Sequence, residues 1–402
     1  MSGLCVTNIG ELLTLAEESA DRLGLIRDAA LVIEDGRVRF VGPMNELPST
    51  DFDVIDAHDA LVTPGLVDPH AHPIFAGSRA HEFDLRAQGR SYGEIQAAGG
   101  GILATVRATN AATSDALLDG LHARLDRLLA HGVTCCEAKT GYALSLDGEL
   151  RLLTLLGRAR HPVRVSPTLL AHVLPPGLDE IARANYVHQF AEELIPKAVG
   201  LAEAVDVYCD AGAFTLDETR VILTAAKSHG FALRVHAEQF THTGAAVLAA
   251  ELGARSVEHL EQISDDAPAR LAAAGTVCNL LPGAALTLRL PWPNARRFLD
   301  AGCTVALGTD CNPGSSLTEN LPLMMSLACM QMGMSIAEAW RAVTASAARA
   351  IGRGDVGHLR PGARGDFVIW SCHDHREVAQ HYGVNLVERV FVEGKPARPP
   401  LR

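Results

Sequence analysis

Two histidines two positions apart, His70 and His72, close the run Thr63-Pro64-Gly65-Leu66-Val67-Asp68-Pro69-His70-Ala71-His72. On a strand, residues i and i+2 share a face, so a single cation can take both. His236, in Arg234-Val235-His236-Ala237-Glu238-Gln239, and Asp310, in Leu307-Gly308-Thr309-Asp310, each end another apolar run. Alone, such a histidine is usually a satisfied core or surface residue, and such an aspartate is commonly a helix cap. Together the four offer three imidazoles and one carboxylate, a donor set suited to one zinc or iron ion with a position left for water. A cation held this way lowers the pKa of bound water from about 15.7 toward roughly 7, which supplies a metal-bound hydroxide as nucleophile. Asp310 is then also placed to take the proton of the attacking water and deliver it to a leaving nitrogen. His172, in Ala171-His172-Val173-Leu174-Pro175-Pro176, and His259, in Ser256-Val257-Glu258-His259-Leu260, end two further runs and are candidates to polarise a carbonyl oxygen.

These residues need strands to carry them. Short runs rich in Val, Leu and Thr alternate with longer segments of helical period between about residues 61 and 316. We expect strands at Leu61–His72, Val133–Lys139, Val163–His172, Ala204–Asp210, Ala232–Gln239, Ser256–Leu260, Thr276–Pro282 and Thr304–Asp310. The amphipathic stretches Ser114–His131, Leu146–Arg160, Leu216–His229 and Thr243–Leu252 are long enough for crossover helices. Eight parallel strands alternating with helices close most simply into a (β/α)8 barrel of the α/β class, whose site gathers at the C-terminal strand ends. A doubly wound sheet would want a Gly-rich phosphate turn after the first strand, where this chain has His-Ala-His. The flanks differ: AALVIEDGRVRFVG near the start and GDFVIWSC and ERVFVEGKPA near the end read as strands joined by tight turns. Neither flank is large enough to stand alone, so residues 1–60 and 361–402 are expected to form one composite β-sandwich beside a barrel of residues 61–360. A helix over Ser335–Ile351, opened by the capping box Ser335-x-x-Glu338, links the two.

Composition narrows the class further. At 402 residues and 48% hydrophobic content the chain has enough for one large core and a smaller satellite. A formal net charge of -12, with Lys and Arg scattered, leaves no basic stripe for nucleic acid. The N-terminus lacks the basic start and apolar run of a signal peptide, and charged residues interrupt every hydrophobic stretch, so no membrane association is expected. Nine cysteines with no CxxC pair suit buried reduced thiols and a cytoplasmic location.

A second set of motifs carries a resemblance. Phe75-Ala76-Gly77-Ser78-Arg79, Gly89-Arg90-Ser91-Tyr92, Gly99-Gly100-Gly101-Ile102, Thr105-Val106-Arg107-Ala108-Thr109, Lys139-Thr140-Gly141-Tyr142 and Thr309-Asp310-Cys311-Asn312-Pro313-Gly314-Ser315-Ser316 are similar to segments of the imidazolonepropionases, over roughly residues 60 to 390. The resemblance implies a metal bound by His70, His72, His236 and Asp310. It implies substrate contacts from Arg79, Tyr92, Tyr142, His172, Gln239 and Ser315, with Asn312 and Gly314 at the glutamate-like end of the product. A propionate side chain calls for a fixed bidentate cation, which Arg79 offers. Thr140 and Ala143 depart mildly from the family pattern, and Gln239 stands where some relatives carry glutamate, so it either orients substrate or moves protons. Lys139 ends the second strand rather than the fourth, where a metal-bridging lysine of other amidohydrolases belongs by resemblance, so one metal is expected rather than two. A homodimer is a further implication.

The expected reaction is hydrolysis of the cyclic amide of 4-imidazolone-5-propanoate to N-formimidoyl-L-glutamate. Asp310 acts as proton carrier, His259 as partner of the oxyanion, and His172 and Gln239 are the remaining catalytic candidates. Two alternatives remain open: a deaminase or hydrolase of another small heterocycle, distinguished by dependence on Arg79, and a non-catalytic scaffold of the same fold, distinguished by failure to hold metal.

Overall fold

In the computed structural model, which describes residues 3–16, 23–90, 94 and 99–398, both ends of the chain meet in one sheet. From the N-terminal side come β1 (Gly3–Leu13), β2 (Leu25–Glu34), β3 (Arg37–Pro43), β4 (Asp53–Asp56) and β5 (Leu61–Pro64). The barrel strands follow: β6 (Leu66–Asp68), β7 (Val133–Lys139), β8 (Arg164–Ala171), β9 (Ala204–Cys209), β10 (Ala232–Ala237), β11 (Ser256–His259), β12 (Val277–Leu280) and β13 (Val305–Leu307). The C-terminal part returns β14 (Phe367–Trp370), β15 (Val387–Val392) and β16 (Lys395–Arg398) to the first sheet. Its order is β16-β15-β14-β5-β1-β2-β3, with β4 on β1. Turns at Asp35-Gly36 and Glu393-Gly394 join β2 to β3 and β15 to β16, as the EDG and EGK signals require.

The second sheet runs β6 to β13 in chain order, each neighbouring pair parallel. Buried on both faces, these strands read as continuous apolar runs, which is why eight were countable in the sequence. Closure between β6 and β13 happens beyond their ends. The Asp310 N–H donates to His70 O at 2.9 Å, the His72 N–H to Cys311 O at 3.0 Å, and Ala71 bridges Cys311 in parallel. Buried Asp68 fastens the seam by accepting from the Thr309 N–H at 3.1 Å and the Thr309 hydroxyl at 2.5 Å.

Two expected elements divide. The first strand, expected over Leu61–His72, breaks at Gly65: Leu61–Pro64 pairs with β1 and β14 in the terminal sheet, and only Leu66–Asp68 enters the barrel. The Gly65 N–H goes to Asp366 O and the Leu66 N–H to Gly132 O, so consecutive amides serve different sheets. The helix expected over Ser335–Ile351 keeps its capping box but becomes Ile336–Ala342 and Ala345–Ile351. Val343 O is drawn out to accept the Val67 N–H, and the Thr344 hydroxyl donates to Trp340 O at 2.5 Å, which interrupts the ladder. The second piece packs under the barrel against Val67, Cys135, Val277 and Ala306, at the strand ends away from His70. We propose the unit boundary near residue 60, with 361–402 rejoining the terminal sheet, although Leu61–Pro64 still pairs inside that sheet.

At Gly65 a Cβ would overlap the Thr134 side chain on β7, so the crossing from one sheet to the other requires the bare backbone. Gly65→Ala is expected to lower stability by about 1–3 kcal/mol, as overpacking of a tight core does. Denaturant unfolding measures this, and Thr134→Ala in the same chain should restore part of the loss. An unchanged midpoint in Gly65→Ala would show that the contact is not constraining.

Candidate metal and substrate site

The ends of β6, β10 and β13 bring His70, His72, His236 and Asp310 to one point. One ring nitrogen from each of the three histidines lies within 4.8 Å of the others, and all three rings are buried. His70 Nε2 and His72 Nε2 are 3.3 Å apart, and Asp310 Oδ1 sits 3.4 Å from each. His70 uses its Nδ1–H on Glu258 Oε2 at 2.8 Å, which leaves its Nε2 facing the other donors. Burial lowers His72 well below the usual histidine value and His236 to about 4, so both are neutral at physiological pH. Burial works against the Asp310 charge as well, yet the bonds with His70 and His72 hold it well below the usual carboxylate range.

Three ring nitrogens and a carboxylate gathered at one buried point are a donor set that a cation would satisfy. The surrounding charge agrees. Asp68, Glu137, Asp206, Glu258 and Asp310 are buried on or next to the barrel strands, where Lys139 and Arg234 are the buried cations among the described strand residues. Lys139 Nζ is 2.8 Å from Glu137 Oε2 and 2.6 Å from Asp206 Oδ2, and Arg234 pairs with Glu137. The donor set and its surplus of negative charge therefore fit a divalent metal.

The backbone is strained where the site needs reach. Asp310 (φ 49°), Glu238 (φ 57°), His259 (φ 73°) and Leu260 (φ 72°) are all left-handed without being glycine. Each such conformation costs of order 1–3 kcal/mol and persists only where its surroundings enforce it. Hydrogen bonds from Leu260 N–H to Ala237 O and from Gln262 N–H to Glu238 O do that for the segment after β11.

A cavity of about 320 Å³ opens at this point. It is lined by His72, His236, His259 and Asp310, and by the expected substrate residues Arg79, Tyr142, His172, Gln239, Asn312, Gly314 and Ser315. His70 sits behind it, fully buried. Tyr92 lies outside the described residues.

Arg79 is clamped. Its Nε is 2.9 Å and its Nη2 2.7 Å from Glu82 Oε2, and Glu82 Oε1 accepts the Gly101 N–H at 3.0 Å. The guanidinium lies directly over Gly314, where a Cβ would overlap Nη1, and Arg86 fixes the Gly314 carbonyl at 2.7 Å. Asn312 organises its own loop: its Oδ1 accepts the Gly314 and Ser315 N–H groups at 2.8 Å, and its amide nitrogen donates to Asp310 O at 2.6 Å. The ring of Tyr142 meets that of His172 edge to face at 5.3 Å. His172 donates its Nδ1–H to Gly141 O at 3.2 Å, and burial pushes it down to about 3, so it too is neutral. Tyr208 donates its hydroxyl to Gln239 Oε1 at 3.1 Å, which leaves the amide N–H groups of Gln239 as what that side chain can offer.

The sequence reading missed the groups that hold these residues. Glu258 fixes His70 and is itself held by the Asn279 amide at 2.7 Å and the Ser256 hydroxyl at 2.5 Å. Asp206 Oδ2 is 3.0 Å from His236 Nδ1. Buried Glu149 gathers the Gly141, Ala143 and Leu144 N–H groups and so shapes the loop that carries Tyr142. Glu82 and Tyr208 act likewise on Arg79 and Gln239. The only sequence signal was charge inside apolar runs, at Glu137, Asp206 and Glu258.

Comparison with known proteins shows the family to which the chain belongs. Residues 95–397 match the Amidohydrolase family. An imidazolonepropionase of Geobacillus kaustophilus (strain HTA426) is 45% identical, with 98% of each chain covered. Another from Symbiobacterium thermophilum is 44% identical over 98% of this chain and 96% of its own. Among solved structures, an adenosine deaminase from Xanthomonas campestris with bound zinc superposes with a TM-score of 0.71 at 17% identity, covering 100% of this chain and 94% of that one. Atrazine chlorohydrolase TrzN from Arthrobacter aurescens TC1 complexed with zinc gives 0.70 at 17% identity, covering 99% and 96%. At such identity these two speak to the fold alone.

Because Glu258 fixes which nitrogen of His70 faces the cluster, Glu258→Gln is expected to weaken metal binding by about 10- to 100-fold, the usual effect of losing a carboxylate behind a ligand histidine. Competition with a chelator of known affinity measures it without reference to activity. Wild-type affinity in the variant would show that Glu258 serves only the interior charge balance.

Proposed function

We infer the division of labour at this site from the premise that the chain belongs to the imidazolonepropionases of the amidohydrolase family and hydrolyses the cyclic amide of 4-imidazolone-5-propanoate to N-formimidoyl-L-glutamate. The observation that carries the reading is the clamped Arg79 guanidinium beside the His70, His72, His236 and Asp310 cluster in one cavity. A group that holds a carboxylate thus stands next to a group that activates water.

His70, His72, His236 and Asp310 would hold one divalent ion, zinc or iron. Such an ion, when bound, supplies water of lowered pKa and Lewis-acid polarisation of a carbonyl. Arg79 binds the propionate through paired N–H groups, with Gly314 leaving room for it and the Asn312 to Ser315 loop bordering the same end. Tyr142 and neutral His172 form the wall against which the planar ring lies. Gln239, its oxygen engaged by Tyr208, donates from its amide, and having no basic atom it orients substrate rather than moving protons. Asp310 accepts a proton from the attacking water as the water oxygen bonds to the ring carbonyl carbon. His259 donates to the carbonyl oxygen as negative charge collects there. Asp310 then returns the proton to the ring nitrogen as the carbon–nitrogen bond breaks, which opens the ring.

We further propose that the protein works as a homodimer in the cytoplasm on this small molecule, without a nucleic-acid or membrane partner. The acidic net charge of -12 supports the exclusion of nucleic acid, and among the described residues no helix is long and apolar enough to cross a membrane.

Purified protein is expected to consume freshly generated imidazolone propionate, followed by loss of its ultraviolet absorbance, while carrying about one metal per chain. Full metal content without turnover would keep the hydrolase chemistry and discard the substrate. Arg79→Leu should lower kcat/KM by about 10- to 100-fold, mainly through KM, as loss of a charge-assisted bond pair does. Equal activity of that variant on an uncharged heterocycle would point instead to another small-ring substrate. His259→Asn should act on kcat, by about 10²-fold, as the loss of an oxyanion donor does.

A further inference from the structure

Close to His259 stands a carboxylate, Glu261, that the reaction as described does not use. The Glu261 side chain is fully enclosed, and neither of its oxygens accepts a hydrogen bond among the described residues. The Nδ1 of His259 is likewise buried and without a hydrogen-bond partner, and it lies 3.8 Å from Glu261 Oε1. An enclosed carboxylate without a donor is expensive to keep, and so is an enclosed ring nitrogen. Two such atoms facing each other make a pair that needs only a small rotation to close. The path of the chain enforces the juxtaposition. His259 and Leu260 are both left-handed, and Leu260 and Gln262 are tied to the end of β10, so Glu261 is carried back to within 3.8 Å of His259 Nδ1.

We propose that Glu261 is a positioning residue for the hydrolysis, accepting a hydrogen bond from His259 Nδ1 and so fixing the plane of that ring. This rests on the role given to His259 above. With Nδ1–H directed at a carboxylate, the ring can no longer turn about its Cβ–Cγ bond without losing that contact. The opposite edge of the ring is then held toward the carbonyl oxygen in the cavity that His259 lines. The contact is loose in the free protein and tightens when substrate charge develops on the far side of the ring, as catalytic hydrogen bonds commonly do.

The test separates this role from a structural one, because an enclosed carboxylate without a donor destabilises the fold it serves. Glu261→Gln keeps the shape and an acceptor oxygen but not the charge, and is expected to lower kcat by about tenfold, the difference between a charge-assisted and a neutral bond. Glu261→Leu removes both and is expected to lower kcat by about 10²-fold. In both variants KM and metal content should stay at wild-type values, and the melting temperature should hold or rise. In a His259→Asn background, Glu261→Gln should cost nothing more. The proposal is overturned if kcat of Glu261→Gln and Glu261→Leu stays within a factor of two. It is equally overturned if the loss persists undiminished in the His259→Asn background, or if activity falls only together with metal and melting temperature. An unaffected kcat in His259→Asn alone would overturn the role of His259, whereas a loss there with none in the Glu261 variants would overturn only the part given to Glu261.

Discussion

The site exists because the first and last barrel strands are joined past their own ends. Neither β6 nor β13 is long, at three residues each. The closure is made by the backbone of the cluster residues themselves: Asp310 N–H to His70 O and His72 N–H to Cys311 O. A seam of this kind does two things at once. It satisfies buried amides that would otherwise be costly, and it sets His70, His72 and Asp310 side by side although about 240 residues separate them in the chain. Asp68, two residues before His70, carries the load on the other side of the seam through Thr309. The left-handed conformation of Asp310 follows, because its carboxylate must turn toward the histidines while its N–H remains in the seam.

Inside that seam the barrel is lined with charge where a barrel of this kind is usually filled with branched apolar side chains. Lys139, Glu137, Asp206 and Arg234 form one connected set of ion pairs reaching from the second barrel strand to the fifth, and Glu258 on the sixth is held separately by Asn279 and Ser256. Buried ion pairs are poor sources of stability, since desolvation offsets most of the attraction. Their effect here is orientation: Asp206 and Glu258 each face the Nδ1 of a histidine in the cluster, and Lys139 balances Asp206 from behind. The histidine rings are therefore set before any ligand arrives, which lowers the entropy lost on binding.

Much of this was legible from the residues alone. Parallel strands buried on both faces leave continuous apolar runs, so their number and order could be counted, and the cluster residues were recognisable because each terminates such a run. What escaped notice shares one cause. Glu258, Asp206, Glu149, Glu82 and Glu261 owe their roles to neighbours that register and loop geometry supply, and a single chain does not announce which strands become adjacent. The division of the first strand at Gly65 was hidden for a related reason. Leu61 to Asp68 is one apolar run in sequence, and only the competing demands of two sheets split it. The break at Thr344 likewise depends on Val343 O being wanted by Val67, an attraction no helix periodicity reveals.

That shared first strand also bears on how the molecule is made. Leu61–Pro64 pairs on one side with β1 and on the other with β14, and the Trp370 indole donates to the Thr63 hydroxyl across 307 positions of sequence. A nascent chain emerging from the ribosome can pair β1, β2 and β3 early, but the far edge of Leu61–Pro64 stays open until residues near 370 have been synthesised. Contacts of such span are slow to form and leave an unpaired strand edge in the meantime. The strand that leads directly into His70 and His72 is thus completed late, after the barrel residues between it and residue 370 have been made.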